Sequence, residues 1–138
     1  GPWFTFVGSQ YKLSVGNSEY YIDLLLYHRK LKSLIAIELK VGDFLPEYKG
    51  KMEFYLTVLN RHLKEEGEND AIGIIICKNK DKTVVEYSLS SSNHPIGVST
   101  YTTGTNLPSD YLKYLPDSET IGRKLEKVRL AFTKFENP

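Results

Sequence analysis

The chain has 138 residues, 41% of them hydrophobic and 25% charged, with a net charge of +1. That length and composition suit one globular domain with a real core and exclude a disordered or fibrous chain. The near-zero charge also excludes a whole-protein basic field as the means of holding nucleic acid, so any such binding must come from local patches. Cys77 is the single cysteine; it leaves no intramolecular disulfide and points to a reducing, cytoplasmic setting. No apolar run approaches the roughly 20 residues that span a bilayer, so no membrane partner is expected. Residues 1–2, Gly1-Pro2, read as the scar of a removed tag, with natural sequence expected upstream.

Trp3 to Val7 is apolar and begins abruptly. Gln10 to Val15 alternates polar and apolar residues, the pattern of a first strand, and Gly16-Asn17-Ser18 is a turn. Glu19 to Tyr27 and Leu34 to Lys40 are two further strands, short and rich in aliphatic and aromatic residues. The basic turn His28 to Lys32 is short enough to fold them into an antiparallel hairpin. Val41-Gly42-Asp43 breaks the pattern, and Pro46 can open a helix. Glu47 to about Leu63 keeps helical spacing through Tyr48, Met52, Tyr55, Leu56, Leu59 and Leu63, and places Lys51 and Tyr55 on one face. Glu65 to Asp70 is an acidic loop. Ala71 to Cys77 is nearly all apolar, which reads as a strand buried on both faces. A strand, helix and strand in succession imply a crossover and a mixed sheet. Lys78, Lys80 and Lys82 follow at that strand's carboxyl end. Thr83 to Leu89 fits a short helix, with Val84-Val85 leaving strand open. Ile96 to Thr102 reads as a last strand. A helical turn starts at Pro108, and Ser118 to Phe135 is a charged amphipathic helix carrying Leu125, Val128, Leu130 and Phe132.

The hairpin carries the chemistry. Each arm holds a carboxylate within an apolar run, and a buried carboxylate must be paired, hydrogen-bonded or bound to a metal. If Tyr27 lies opposite Leu34, Asp23 lies opposite Glu38, with about 5 Å between Cβ atoms on a shared face. Glu38 and Lys40 point the same way, because strand side chains alternate. Opposed carboxylates repel, and a divalent cation removes that conflict; magnesium takes one or two carboxylates together with phosphate oxygens and waters. The bland alternative is an exposed strand end whose Asp23 is satisfied by a backbone amide. His28, His62 and His94 lack zinc-like spacing, and neither a phosphate-cradling GxxxxGK loop, a CxxC pair nor a serine-nucleophile motif is present.

Asp23, a hairpin, and then Glu38-Leu39-Lys40 resemble the motif of the PD-(D/E)XK nuclease superfamily, with Ile22 where the superfamily name has proline. The segments FVGSQYKL, YYIDLLLYHRKLKSLIAIELKVGDFLPEYKGKMEFYL, IGIIICKNKDKTVVEYSL and PIGVSTY are similar to the nuclease domain of YhcG-type proteins. The resemblance implies an α/β fold with a restriction-endonuclease-like core: a central mixed sheet flanked by helices, here with the N-terminal core helix missing. It implies a nuclease domain over 3–116, followed by a C-terminal helix over 117–138, behind an upstream N-terminal domain. It also implies metal-dependent hydrolysis of phosphodiester bonds, in DNA rather than RNA. Asp23, Glu38 and the Leu39 backbone carbonyl would hold Mg2+, with Mn2+ as a substitute, and Lys40 would act on the attacking water or the transition state. Lys51 and Tyr55 would be accessory groups, with lysine in the usual glutamine place, and Lys78, Lys80 and Lys82 would contact nucleic acid. The competing expectation is a nuclease-fold module that binds nucleic acid or a protein partner without cutting. A homodimer stays open as an arrangement.

Overall fold

The structure, a computed structural model, describes residues 3–100. Five strands form one sheet in the order β1-β2-β3-β4-β5. They are β1 (Phe4–Val15), β2 (Ser18–His28), β3 (Ser33–Leu39), β4 (Ile72–Cys77) and β5 (Ile96–Thr100). The first three form an antiparallel meander. Strands β4 and β5 then add parallel to β3, because helix α1 (Pro46–His62) and helix α2 (Lys82–Leu89) carry the chain back over the sheet before each of them. This is the α/β restriction-endonuclease-like arrangement of a mixed sheet with helices. Among the described residues no helix is long and apolar enough to cross a membrane.

The first strand corrects the sequence reading. It starts at Phe4, not Gln10, so Phe4 to Val7 already belongs to the strand. Phe4 pairs with His28 and is buried, and the register shifts once, between Phe6 and Gly8. The extra residue at that shift breaks simple alternation, which hides the strand from a period-2 reading. The turn at Gly16, with φ +60°, uses glycine's freedom and returns the chain into β2.

The hairpin register is the expected one: Tyr27 lies opposite Leu34, and the ladder runs on to Leu24 opposite Ile37. All seven residues of β3 are buried. In β4, Gly73 to Cys77 are buried, in line with a strand covered on both faces. Pro46 opens α1 with its fixed φ, a position where the missing N–H is no loss. Met52, Tyr55, Leu56 and Leu59 of α1 pack on one face of the sheet with Leu25, Ala36 and Ile75. The approach is close at Gly73, where a Cβ would come within 2.5 Å of the Met52 side chain. Helix α2 is the short helix expected, started by Asp81, whose carboxylate accepts from the Thr83 and Val84 amides. The remainder of the expected last strand beyond Thr100, the turn at Pro108 and the helix over 118–135 lie outside the described residues.

Candidate active site

Strand β2 and strand β3 stop pairing at Leu24 and Ile37, and the next residue on each strand is a carboxylate. The two side chains do not simply face each other. The Asp23 backbone N–H donates to Glu38 Oε2 at 2.8 Å, and the Leu39 N–H donates to Asp23 Oδ2 at 2.9 Å. Each carboxylate thus takes the amide of the opposite strand, replacing the next rung of the ladder with a reciprocal clasp. The clasp fixes the pair where the strands diverge, so both groups stay beside each other despite like charge.

Burial differs between the partners. Glu38 is 5% exposed, whereas Asp23 is half-buried. Burial pushes the Glu38 pKa up, and the neighbouring Asp23 charge adds to this. The Asp23 amide, Lys40 and Lys51 pull it back only in part, leaving a value of about 7. The pair therefore carries less than its full negative charge near neutral pH unless a cation joins it.

Lys40 follows β3 directly, and its N–H donates to the Ile76 carbonyl of β4 at 2.8 Å. Its ammonium lies 4.7 Å from the centre of the Tyr48 ring, a cation–π contact that limits where it can swing. Helix α1 brings the two accessory residues to the same place. Tyr55 is buried, and its hydroxyl donates to the Tyr21 carbonyl at 3.3 Å. The Lys51 ammonium lies 5.7 Å from the Tyr55 ring centre. Partial burial works against the Lys51 charge, but the Tyr55 hydroxyl and the charges of Glu38 and Asp23 outweigh it and raise the lysine pKa. The Tyr55 pKa is raised by burial first and by Glu38 next, so its hydroxyl stays protonated.

Two neighbours escaped the sequence reading. Gln10 of β1, held at φ +46°, donates from Nε2 to Asp23 Oδ1 at 3.2 Å. Tyr48 lies under Lys40. Gln10 could be found only by continuing the β1–β2 register from Ser9 opposite Leu24 to the next position. Tyr48 looked like one more apolar residue of the helix, and no sequence signal separates it from Tyr55.

The lysines after β4 lie where the parallel pairing puts them, at the same end of the sheet as Lys40. Lys78 donates its backbone N–H to the Gly42 carbonyl, and the Phe44 N–H donates to the Asn79 carbonyl, tying the two loops together. Lys78, Lys80 and Lys82 are exposed. Lys80 already donates from Nζ to the Val98 carbonyl at 2.9 Å, so Lys78 and Lys82 are the freer pair. Beside them is a cleft of about 450 Å3 lined by Asp43, Phe44, Leu45, Asn79, Asp81 and Val84 as well as Lys80. The basic turn Arg29 to Lys32 is at the opposite end of the hairpin.

Two adjacent carboxylates are hard oxygen donors, of the chemistry that suits a divalent cation whose other ligands are waters or phosphate oxygens. No cluster of three or more His, Cys, Asp or Glu side chains able to hold a metal occurs among the described residues.

The sequence matches the family model described as YhcG PDDEXK nuclease domain over residues 1–116. It is similar to a protein of Escherichia coli (strain K12) named "Putative nuclease YhcG", with 31% identity over 129 residues, which is 94% of this chain. The chain spans about a third (32%) of that relative's length. No solved structure gave a significant match.

Proposed function

This chain belongs to the YhcG PDDEXK nuclease domain family, and from that premise we propose that it is a metal-dependent nuclease domain that hydrolyses phosphodiester bonds in DNA. The reading rests above all on the reciprocal clasp of Asp23 and Glu38, with the Glu38 pKa driven up to about 7 by burial and by its partner. A site that holds two carboxylates together in a buried strand end, against their repulsion, is arranged for a cation. Asp23, Glu38 and the Leu39 carbonyl would hold Mg2+, with Mn2+ able to replace it. A bound divalent ion supplies Lewis-acid stabilisation of phosphate charge and a water that ionises near neutral pH.

The chain's own groups do the rest. Lys40, held against Tyr48, presents a fixed positive charge beside the carboxylates, where it orients the attacking water or offsets charge growing on the phosphate. Lys51 adds a second positive charge on the same side. Gln10 keeps the Asp23 carboxylate turned toward the clasp. Lys78 and Lys82 offer phosphate contacts at the near rim, so the nucleic acid lies across the carboxyl ends of β3 and β4. An N-terminal domain in the longer protein would select the substrate.

A second reading is a nuclease-fold module that binds nucleic acid or a protein partner without cutting. Metal-dependent cleavage separates the two. The primary test is calorimetric titration with manganese, in which Asp23→Ala is expected to abolish binding while leaving the fold intact. Equal binding by the wild type and Asp23→Ala would sink the metal site. A nuclease assay on the longer protein, with a panel of DNA structures and with or without magnesium, then tests cleavage itself.

A further inference from the structure

The cleft between the loop before α1 and the loop before α2 has no part in the chemistry proposed above. Its volume of about 450 Å3 is of the size that small organic ligands occupy. It lies beyond the carboxyl ends of the parallel strands β3 and β4, where open α/β sheets gather their ligands. Its lining is unlike a phosphate site. Asp43 and Asp81 bring negative charge to it, and the ammonium of Lys80 already donates to the Val98 carbonyl at 2.9 Å. Asp81 also covers the start of α2, accepting from the Thr83 and Val84 amides at 2.9 and 3.1 Å, so those donors are not turned toward an anion. The rest of the surface is apolar: Phe44, Val84 and Leu45, the last 42% exposed.

We propose that this cleft receives an unpaired nucleobase of the substrate strand, one that carries an exocyclic amino group. The inference rests on the nuclease reading and narrows its substrate to strands with an unpaired or extruded nucleotide beside the scissile bond. A base has flat apolar faces and a polar edge, and the cleft answers each. The faces meet Phe44, Leu45 and Val84. The edge meets acceptors: the Asp43 carboxylate, to which the Asn79 amide donates at 3.4 Å, and the Asn79 side-chain carbonyl. Carboxylates accept from the exocyclic amino group of cytosine, whereas a thymine carbonyl in the same place sets oxygen against oxygen. Position links the cleft to the carboxylate clasp. The Phe44 ring meets the Tyr48 ring edge-on at 6.3 Å, and Tyr48 carries the Lys40 ammonium at 4.7 Å. A strand whose reacting phosphate meets Lys40 therefore carries a neighbouring base past the mouth of the cleft. A base held in a duplex stack cannot enter, so the nucleotide must be unpaired or extruded.

The test uses the full 138-residue chain, free of metal, with isotope-labelled Leu and Val methyl groups. It is titrated separately with deoxycytidine monophosphate, thymidine monophosphate and inorganic phosphate. The cytidine nucleotide is expected to shift the Leu45 and Val84 methyl resonances saturably, the thymidine nucleotide to do so several-fold more weakly, and phosphate to leave them in place. Asp43→Ala is expected to erase the difference between the two nucleotides. Equal shifts from both nucleotides, shifts from phosphate alone, no shift at these methyls, or a preference that survives in Asp43→Ala would each overturn the proposal. Manganese titration of the wild type reads the Asp23–Glu38 pair separately: its failure would sink the nuclease reading, whereas the methyl shifts, read without metal, decide the cleft by themselves.

Discussion

The two ends of the β2–β3 hairpin are built from the same strands and do opposite things. At the turn, His28 pairs with Ser33, the Leu31 N–H donates to His28 Nδ1, and Ser33 Oγ donates to the Leu31 carbonyl. Asn69, from the loop after α1, closes over it, donating its N–H to the Lys32 carbonyl and its side-chain amide to the Leu31 carbonyl. Local groups satisfy one another there, and Arg29, Lys30 and Lys32 are exposed, with the Lys30 ammonium 5.2 Å from the centre of the Trp3 ring. At the open end the ladder gives way to the carboxylate clasp, and charge is held inside. One end closes a structure with neutral hydrogen bonds; the other keeps an electrostatic conflict that a ligand can relieve. Buried like charges are tolerated only where something compensates them, and in the function proposed above a bound cation would do so, which makes this the proposed working end.

The sharpest way to break this comparison is at the lysines. On the proposed function, Lys40→Ala is expected to lower turnover by on the order of 10²–10³-fold while manganese binding persists, because the charge would be needed chiefly in the transition state. Lys30→Ala, at the turn, should leave turnover within about twofold, as surface substitutions usually do. Single-turnover cleavage rates check both; unchanged turnover in Lys40→Ala would reduce Lys40 to a strand-end decoration.

The next effect is on stability. Glu38 has a folded-state pKa of about 7 against an ordinary 4.5. The protonated form is the one the fold prefers, so the stabilisation is complete below pH 4.5 and is lost as pH rises through 7. The full shift corresponds to at most about 3 kcal/mol. Glu38→Gln keeps an acceptor for the Asp23 amide and removes the charge. Denaturant titrations of the metal-free protein between roughly pH 5 and 8 should show the wild type weakening with pH, the variant staying flat, and Ser33→Ala at the turn keeping the wild-type slope. A wild-type slope in Glu38→Gln would mean that the burial of Glu38 is already compensated.

The smallest effect sharpens where the substrate lies. Neutralising Lys78, Lys80 and Lys82 should weaken duplex binding and reduce its salt dependence by roughly one unit of slope for each phosphate that no longer meets a lysine. Neutralising Arg29, Lys30 and Lys32 should do less. Fluorescence anisotropy over a salt series with a cleavage-dead variant decides between the ends; a larger weakening from the turn variant would put the nucleic acid on the wrong side of the domain for Lys40.

Much of this was legible along the chain, and the rest had specific reasons for being hidden. The buried strand at β4 announced itself by its unbroken aliphatic run, and Pro46 marked the start of α1 because its fixed φ suits a first helical position. The length of the turn and the alternation of the arms were enough to set Tyr27 opposite Leu34, and with it the neighbourhood of Asp23 and Glu38. The opening of β1, from Phe4 to Ser9, was missed because the register shift between Phe6 and Gly8 spoils the alternation.

What the sequence determined by itself, then, was local: which residues form strands and helices, which face each turns inward, and which two carboxylates share a hairpin. Periodicity carries that information because it reflects the geometry of a single element. The tertiary structure decided which elements meet. The fit of α1 against Gly73 brings Lys51 and Tyr55 over the clasp, and the loop leading into that helix puts Tyr48 under Lys40. The β1–β2 pairing gives Asp23 its Gln10. The elevated Glu38 pKa belongs to the same level, since it comes from the burial that the assembled sheet and α1 create around a carboxylate, and no local pattern encodes that depth.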